Sequence, residues 1–535
     1  MSAVPDMKFD SYYTYDQLTE FLNGCQAAAA DLMTLDSIAQ SPEGREVWLA
    51  TITDPTTGPP EDKPAYYVQA NVHARELAGT TTALRLIHTL LTDEQAGAML
   101  KELTFYVVPR TNPDGAEYAI TLNGPIRSKN EIVEKKNGLI PQDIDGDGKI
   151  SNMRWEDPAG PYVADPEDPR FLVARRPGDT GPFYQQFTEG LIHDYDGGPI
   201  QSSVKGFDFN RHYPAKWDHN VDAADYPLQH PEICGIVDFL ISHHNIFAGI
   251  DFHCGTQAIL RIPNAGDAEL DQGDLGLMLE IGKIAENLTG FPLMATRDYR
   301  EPWRKPISLP GNSDDFAYHQ LGISWFVIEL GNSYSSAGIS GEEYFNADDE
   351  TRDRDFMRRV MKFYDENPGH AWQWLQWQEF DHPQLGKVEI GGIGGGNIIM
   401  PYPPQIEDAS TNTTAFILRH ADYRPRIVIS GVEAARLADG VYRLRATVAN
   451  VGRLATNVMS TGAGSRTAEP VAVRLEGIEA DGIASRPWVY EFPALGGGGA
   501  HQQMEWFVTA PAGTEIAIRA FHPRGGIARQ AVHLS

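Results

Sequence analysis

The stretch Ser324-Trp325-Phe326-Val327-Ile328-Glu329-Leu330 sets five apolar side chains around a single carboxylate. So short an apolar run marks a strand buried on both faces, the kind found inside a helix-covered sheet. A glutamate there is costly unless it is paired or put to use. Working outward, Gly249-Ile250-Asp251-Phe252-His253 reads as a second buried strand, ending in an imidazole. Ala65-Tyr66-Tyr67-Val68 and Phe105-Tyr106-Val107-Val108 read as two more, the latter halted by Pro109 and the turn Asn112-Pro113-Asp114-Gly115. Between them, apolar residues recur at helical spacing: Leu77, Leu84, Ile87 and Leu91; Ile233, Ile236, Val237 and Leu240 after Pro231-Glu232; Leu275, Met278, Ile281, Ala285 and Leu288. Strands alternating with helices predict, over residues 1–390, an α/β unit whose sheet is covered by helices on both faces.

Two stretches break this rhythm. Residues 124–205 are rich in Pro, Asp and Gly and are expected to form a long surface insertion. Residues 391–419, with Gly391-Gly392-Ile393-Gly394-Gly395-Gly396 and Pro401-Tyr402-Pro403-Pro404, read as a linker. From 420 to 535, alternating segments such as Val471-Ala472-Val473-Arg474-Leu475 and Ile516-Ala517-Ile518-Arg519-Ala520-Phe521 predict an all-β sandwich of immunoglobulin type. Trp372, Trp374 and Trp377 are expected on a helix as packing residues.

Hydrophobic residues at 41% and charged residues at 22% describe a globular chain. Lys plus Arg number 44 against 73 Asp plus Glu, so the net charge is 44 − 73 = −29, a field that repels nucleic acid and anionic membranes. No apolar run is long enough to span a membrane. Three cysteines give no disulfide framework, and Met1-Ser2-Ala3-Val4-Pro5-Asp6 leads into no apolar signal segment. The expected location is cytoplasmic, or extracellular if a signal has been removed.

The chemistry centres on His73-Ala74-Arg75-Glu76, where a strand gives way to a helix. Zinc takes imidazole nitrogen and carboxylate oxygen, and a catalytic site offers three protein ligands and an open position. His-x-x-Glu is weak alone, since Glu is also favoured in a helix's first turn. His253 would stand at the carboxyl edge of the sheet, where α/β folds hold their ligands. Glu329 in its apolar strand is the expected general base for metal-assisted hydrolysis. Each has an ordinary structural alternative: a core histidine bonded to backbone, a salt-bridged glutamate.

Together these segments resemble the zinc metallocarboxypeptidase family, the M14 peptidases of carboxypeptidase A/B type. His73-x-x-Glu76, Asn112-Pro113-Asp114-Gly115, Asp208-Phe209-Asn210-Arg211, Asp251-Phe252-His253 and Phe326-Val327-Ile328-Glu329-Leu330 occur in the family's order over residues 10–390. The resemblance implies a mixed, largely parallel sheet flanked by helices. It implies His73, Glu76 and His253 as ligands of one zinc ion and Glu329 as catalytic base. Arg127 would polarise the scissile carbonyl, worth ~3–4 kcal/mol of barrier for such a donor, with Arg154 as its rival. Asn210 and Arg211 would grip the substrate's terminal carboxylate, a task suited to the guanidinium fork, and Arg75 would line a more distant subsite. Asp314 falls where an acidic residue selects C-terminal Lys or Arg, although capping alone also favours Asp at a helix start. Two departures stand out. The family's mobile tyrosine is replaced by Ile307, with Tyr299 as a possible substitute, and Cys254 follows His253 where Ser is usual.

Asp143-Ile144-Asp145-Gly146-Asp147-Gly148-Lys149-Ile150-Ser151 follows the first nine positions of an EF-hand-type calcium loop. Asp143, Asp145 and Asp147 supply carboxylates, Lys149 a backbone carbonyl and Ser151 a polar ninth position. The twelfth position holds Arg154 instead of Glu, so Glu156 or Asp157 would have to complete the site.

The expected activity is zinc-dependent removal of C-terminal residues from peptides, with basic residues as candidates for preference. A zinc amidohydrolase or deacylase acting on N-acyl amino acids or cell-wall peptides would use the same groups. A binding protein with a degenerate catalytic unit is disfavoured by the presence of every candidate ligand and the base.

Overall fold

The computed structural model describes residues 3–217, 225–262, 266–299, 311–368, 374–393, 397–465 and 467–535. Its central sheet has eight strands: β1 (Met33–Gln40), β2 (Glu46–Ile52), β3 (Ala65–Ala70), β4 (Thr104–Val108), β5 (Ile246–His253), β6 (Ala258–Arg261), β7 (Leu293–Ala295) and β8 (Ser324–Glu329). Their order across the sheet is β1-β2-β4-β3-β5-β8-β6-β7. β4, β3, β5 and β8 run parallel, and the edge pairings β1/β2, β2/β4 and β8/β6 are antiparallel. The mixed, largely parallel sheet expected from the sequence is the one observed.

The two faces of each central strand feed different cores, as the two-residue side-chain period requires. Tyr66, Val68, Phe252, Phe326 and Ile328 pack on one side with α1 (Tyr15–Ala28), α2 (Ala78–Thr92) and α5 (Gln272–Thr289). Ala65, Tyr67, Trp325 and Val327 pack on the other with α4 (Pro231–Ser242) and α6 (Ser313–Leu321). α3 (Pro113–Leu122) starts at the Asn-Pro-Asp-Gly segment, with Asn112 Oδ1 capping the Gly115 amide at 3.0 Å.

Three sequence expectations give way. The presumed linker 391–419 holds most of a sixteen-residue helix, α7 (Ile406–Ala421), which runs two residues past its end and whose Phe416, Ile417 and His420 are fully buried against the central sheet. His420 lies between Tyr66 Oη (2.8 Å) and Ser324 Oγ (2.9 Å), so one imidazole ties two strands, and burial holds its pKa down near 3. The periodicity was hidden by five Ser/Thr/Asn residues in the middle of the helix. Of that presumed linker, residues 394–396 lie outside the described residues.

The insertion 124–205 is not loop alone: four of its strands join Leu375–His382 and Gly386–Gly392 in a six-stranded antiparallel sheet. Trp377 is therefore on a strand, not a helix, and its indole lies 4.1 Å from the Arg154 guanidinium; Trp372 lies outside the described residues.

Residues 427–533 form a three-stranded and a four-stranded antiparallel sheet around Leu444, Val473, Trp506 and Ile518, which fits a sandwich. It sits directly on the α/β unit: Leu454, Val458 and Met459 belong to that unit's hydrophobic core. Among the described residues, no helix is long and apolar enough to cross a membrane.

Candidate metal centre and substrate cavity

The parallel strands β3, β5 and β8 deliver their carboxyl ends to one edge of the sheet. His253 and Glu329 are register partners on β5 and β8. β3 ends at Ala70, and Asn71 then turns the chain with a left-handed φ of 59° while its side-chain Nδ2 donates to the His73 carbonyl at 2.7 Å. That turn places His73 and Glu76 beside His253.

The ligand atoms converge. His73 Nδ1 lies 2.8 Å from Glu76 Oε1 and 3.0 Å from His253 Nδ1, and His253 Nδ1 lies 2.9 Å from Glu76 Oε2. All three residues are buried, and their ligand atoms fall within 4.8 Å of one another. His73 Nε2 faces Asp208 Oδ1 at 2.9 Å and His253 Nε2 faces Asp251 Oδ2 at 3.3 Å. A carboxylate on each Nε2 favours the proton there and leaves both Nδ1 lone pairs aimed at the shared point, the pattern seen behind metal-bound histidines. Burial works against the Glu76 carboxylate, but the two imidazoles outweigh it and hold its pKa well below the usual range. The donor set fits a zinc ion.

Around this cluster lies a cavity of 270 Å³, lined among others by Arg127, Asn210, Arg211, Tyr299, Asp314 and Glu329. Burial is the main force pushing the Glu329 carboxyl up, to about 8, with Glu76 and Asp251 adding to it against His253 and Arg127. Its Oε2 is buried and has no hydrogen-bond partner among the described residues. Gly255 lets the carboxyl come close: a Cβ there would stand 2.9 Å from Glu329 Oε2 and 2.3 Å from Tyr299 Oη.

Arg127 reaches Glu76 Oε1 at 3.0 Å and Asp208 Oδ2 at 3.3 Å with a side chain still 44% exposed, so it can meet a ligand entering the cavity. Its rival Arg154 is elsewhere, paired with Glu389 at 2.8 Å under Trp377. Asn210 Oδ1 accepts from the Ser313 amide at 3.0 Å, and Arg211 donates to the Asn210 carbonyl at 2.6 Å. Asp314 is buried in the cavity wall, accepts from Thr296 Oγ1 at 2.9 Å, and is raised in pKa chiefly by burial.

Arg75 is not in the cavity wall. It is 4% exposed and donates to the Asn123 and Gly124 carbonyls, the turn that leads to Arg127. Ile307 lies outside the described residues; Tyr299, its suggested substitute, lines the cavity with its hydroxyl donated to the Thr256 carbonyl at 2.8 Å. Cys254 is buried beside Glu76, its amide donating to Glu76 Oε2 at 3.0 Å.

Asp143, Asp145 and Asp147 come together as a second group able to hold a cation. Their loop is closed not by Glu156 or Asp157 but by Glu189, which accepts from the Ile144 amide at 2.6 Å and the Ser151 amide at 2.8 Å. Glu189 is 38 residues beyond Ser151, too far for a nine-residue pattern to find. The Lys149 ammonium reaches the Thr121 carbonyl at the end of α3, at 3.0 Å. Asp208 was likewise unassigned from sequence, although its neighbours Asn210 and Arg211 had been singled out.

A sequence model of the zinc carboxypeptidase family matches residues 18–345, more than half of the chain. The chain belongs to the zinc carboxypeptidase family. A second model, for a domain of unknown function, matches residues 426–533. The chain is similar to a metallocarboxypeptidase A-like protein of Trichophyton verrucosum, 28% identical over 165 residues that cover 29% of this chain and 38% of that protein. It is also similar to carboxypeptidase B of Helicoverpa zea, 28% identical over 120 residues, covering 22% and 28%. The matched segments thus span well under half the length of these curated relatives. Among solved structures, carboxypeptidase A from Helicoverpa armigera aligns over 69% of this chain and 76% of its own at 17% identity and a TM-score of 0.42.

Proposed function

We propose that this zinc carboxypeptidase family member is a metallocarboxypeptidase that hydrolyses the C-terminal peptide bond of peptides, with a preference for basic terminal residues. The observation that carries this reading is one cavity holding the His73, Glu76 and His253 cluster, the buried Glu329 carboxyl, and the Asn210–Arg211 pair. Zinc held by the three ligands supplies Lewis acidity toward a carbonyl and toward water. Glu329, whose buried carboxyl favours taking up a proton, accepts one from the attacking water and returns it to the leaving amine. Arg127 places its guanidinium where the carbonyl oxygen gains negative charge. Asn210 and Arg211 bind the free α-carboxylate, which makes an exopeptidase of the site, because an internal peptide bond offers no such charge. Asp314 faces the cationic end of a terminal Lys or Arg. Calcium in the Asp143, Asp145 and Asp147 loop would clamp the insertion against α3, the helix that precedes Arg127.

Digestion of a peptide ladder tests the reading, with residues expected to leave one at a time from the carboxyl end and chelator stopping the reaction. Release of an acyl group from N-acyl amino acids, with peptides untouched, would make the enzyme a deacylase instead. Glu329→Gln should lower kcat by at least about 100-fold while zinc stays near one per chain; activity kept, or zinc lost, contradicts the base assignment.

A further inference from the structure

One of the places where the sandwich meets the α/β unit is the end of a helix. α6 runs from Ser313 to Leu321, nine residues, a rod of about 13 Å. Its first turn belongs to the cavity: Ser313 donates its amide to Asn210 Oδ1 at 3.0 Å and its hydroxyl to Asp251 Oδ2 at 2.6 Å, and Asp314 lies in the wall. Its last turn belongs to the sandwich. Arg524, 2% exposed, donates to the Leu321 carbonyl at 2.7 Å, the Gly322 carbonyl at 3.4 Å and Thr467 Oγ1 at 2.9 Å. Thr461 Oγ1 donates to the Tyr318 carbonyl at 2.5 Å. Ser460 donates its hydroxyl to Asp274 Oδ2 at 2.6 Å, the same oxygen that takes the Tyr318 hydroxyl at 2.7 Å.

The fit leaves no slack. Gly322 ends α6 with a left-handed φ of 63°, and a Cβ on it would stand 2.1 Å from Gly462 Cα. The free carbonyls at a helix C-terminus carry partial negative charge, and a buried guanidinium fork is the donor that satisfies several of them at once.

We propose that the C-terminal sandwich is a positioning element of the substrate pocket, with Arg524 as the residue that fixes α6 along its axis and so sets where Ser313 and Asp314 stand. The pocket role of Asp314 rests on the carboxypeptidase reading above; the positioning itself does not. A helix held at both ends moves as a rod, so releasing its sandwich end displaces Asp314 in the wall and loosens the Ser313 bonds to Asn210 and to Asp251, the carboxylate behind His253. The sandwich therefore acts first on how substrate is held, through Asn210 and Asp314.

The test uses the full-length zinc-loaded protein and its Arg524→Ala variant. With peptides ending in Lys, Arg and Phe, KM for the basic pair is expected to rise about tenfold, with kcat per bound zinc changing less than KM and the Phe peptide less affected. Unchanged constants, or an equal loss on all three peptides, overturn the proposal. Amide hydrogen exchange reads the positioning without any substrate: exchange across 313–321 should quicken in the variant while 231–242 keeps its protection, and identical exchange across 313–321 overturns it. Should Arg524→Ala fail to fold, Thr467→Val, which keeps shape and removes both the acceptor for Arg524 and the hydroxyl donated to the Leu321 carbonyl, is judged by the same outcomes. A wild-type protein that releases no terminal residue refutes the carboxypeptidase reading, and hydrogen exchange still decides the positioning.

Discussion

Glu232 sits in the first turn of α4, 2% exposed, with Oε2 buried and unpartnered. It borders a second cavity with Asn112, Asp114 and Lys129, behind the segments that carry Arg127 and Asp208. Burial, aided by Asp114, raises its pKa from 4.5 to about 7. The folded protein therefore prefers this carboxyl protonated, whereas the unfolded chain releases the proton near 4.5. The stability it contributes is fully present below the unfolded value and is lost as pH rises through about 7. A displacement from 4.5 to about 7 corresponds to about 3 kcal/mol, most of it lost between about pH 5 and pH 8. Glu232→Gln removes the titration and keeps the shape. Urea unfolding of both proteins at those two pH values should show the variant gaining about 2–3 kcal/mol relative to wild type on going to the higher pH. A stability difference that is the same at both pH values would refute the reasoning, because it would mean that Glu232 does not titrate differently in the folded state.

Asp208→Asn weakens the acceptor behind His73 Nε2, and zinc affinity measured by competition with a chelator should fall about 10- to 100-fold. Asp314→Ala should reduce kcat/KM on peptides ending in Lys or Arg by at least about tenfold and leave Phe-ending peptides nearly unchanged; equal losses would remove Asp314 from selection. Calcium at 100 times its Kd should stabilise the wild-type protein by about 2.7 kcal/mol, and Asp145→Ala should abolish that gain in a thermal shift assay.

The parts legible in the sequence are those where one local rule dominates. The buried strands ending at His253 and Glu329 announce themselves by continuous apolarity, and both faces of the sheet do prove covered. His73 and Glu76 are legible because they lie on one turn of chain. What escaped depends on contacts distant in sequence. α7 hides its buried face among Ser, Thr and Asn, and its His420 makes sense only once Tyr66 and Ser324 are seen on either side of it. Glu189 and Asp208 act through groups 38 and 135 residues away. Arg75 misled for the opposite reason: it adjoins a metal ligand in sequence, yet its side chain turns inward to backbone carbonyls.

The same distinction explains why the boundary between the two units could not be read from composition. A change from mixed helix and strand to pure alternation near residue 420 locates where the secondary structure changes, not where the core ends. α7, before that point, fills the catalytic core, and Leu454, Val458 and Met459, after it, do so as well. Val458 even holds a left-handed φ of 66° while buried, a conformation costly for a β-branched residue and kept only where packing over-determines it. A module that merely rode on the enzyme would have no reason to hold such a residue inside the enzyme's core. The sandwich is therefore better understood as a wall of the α/β unit, and the end of α6 is where that wall comes nearest to the cavity.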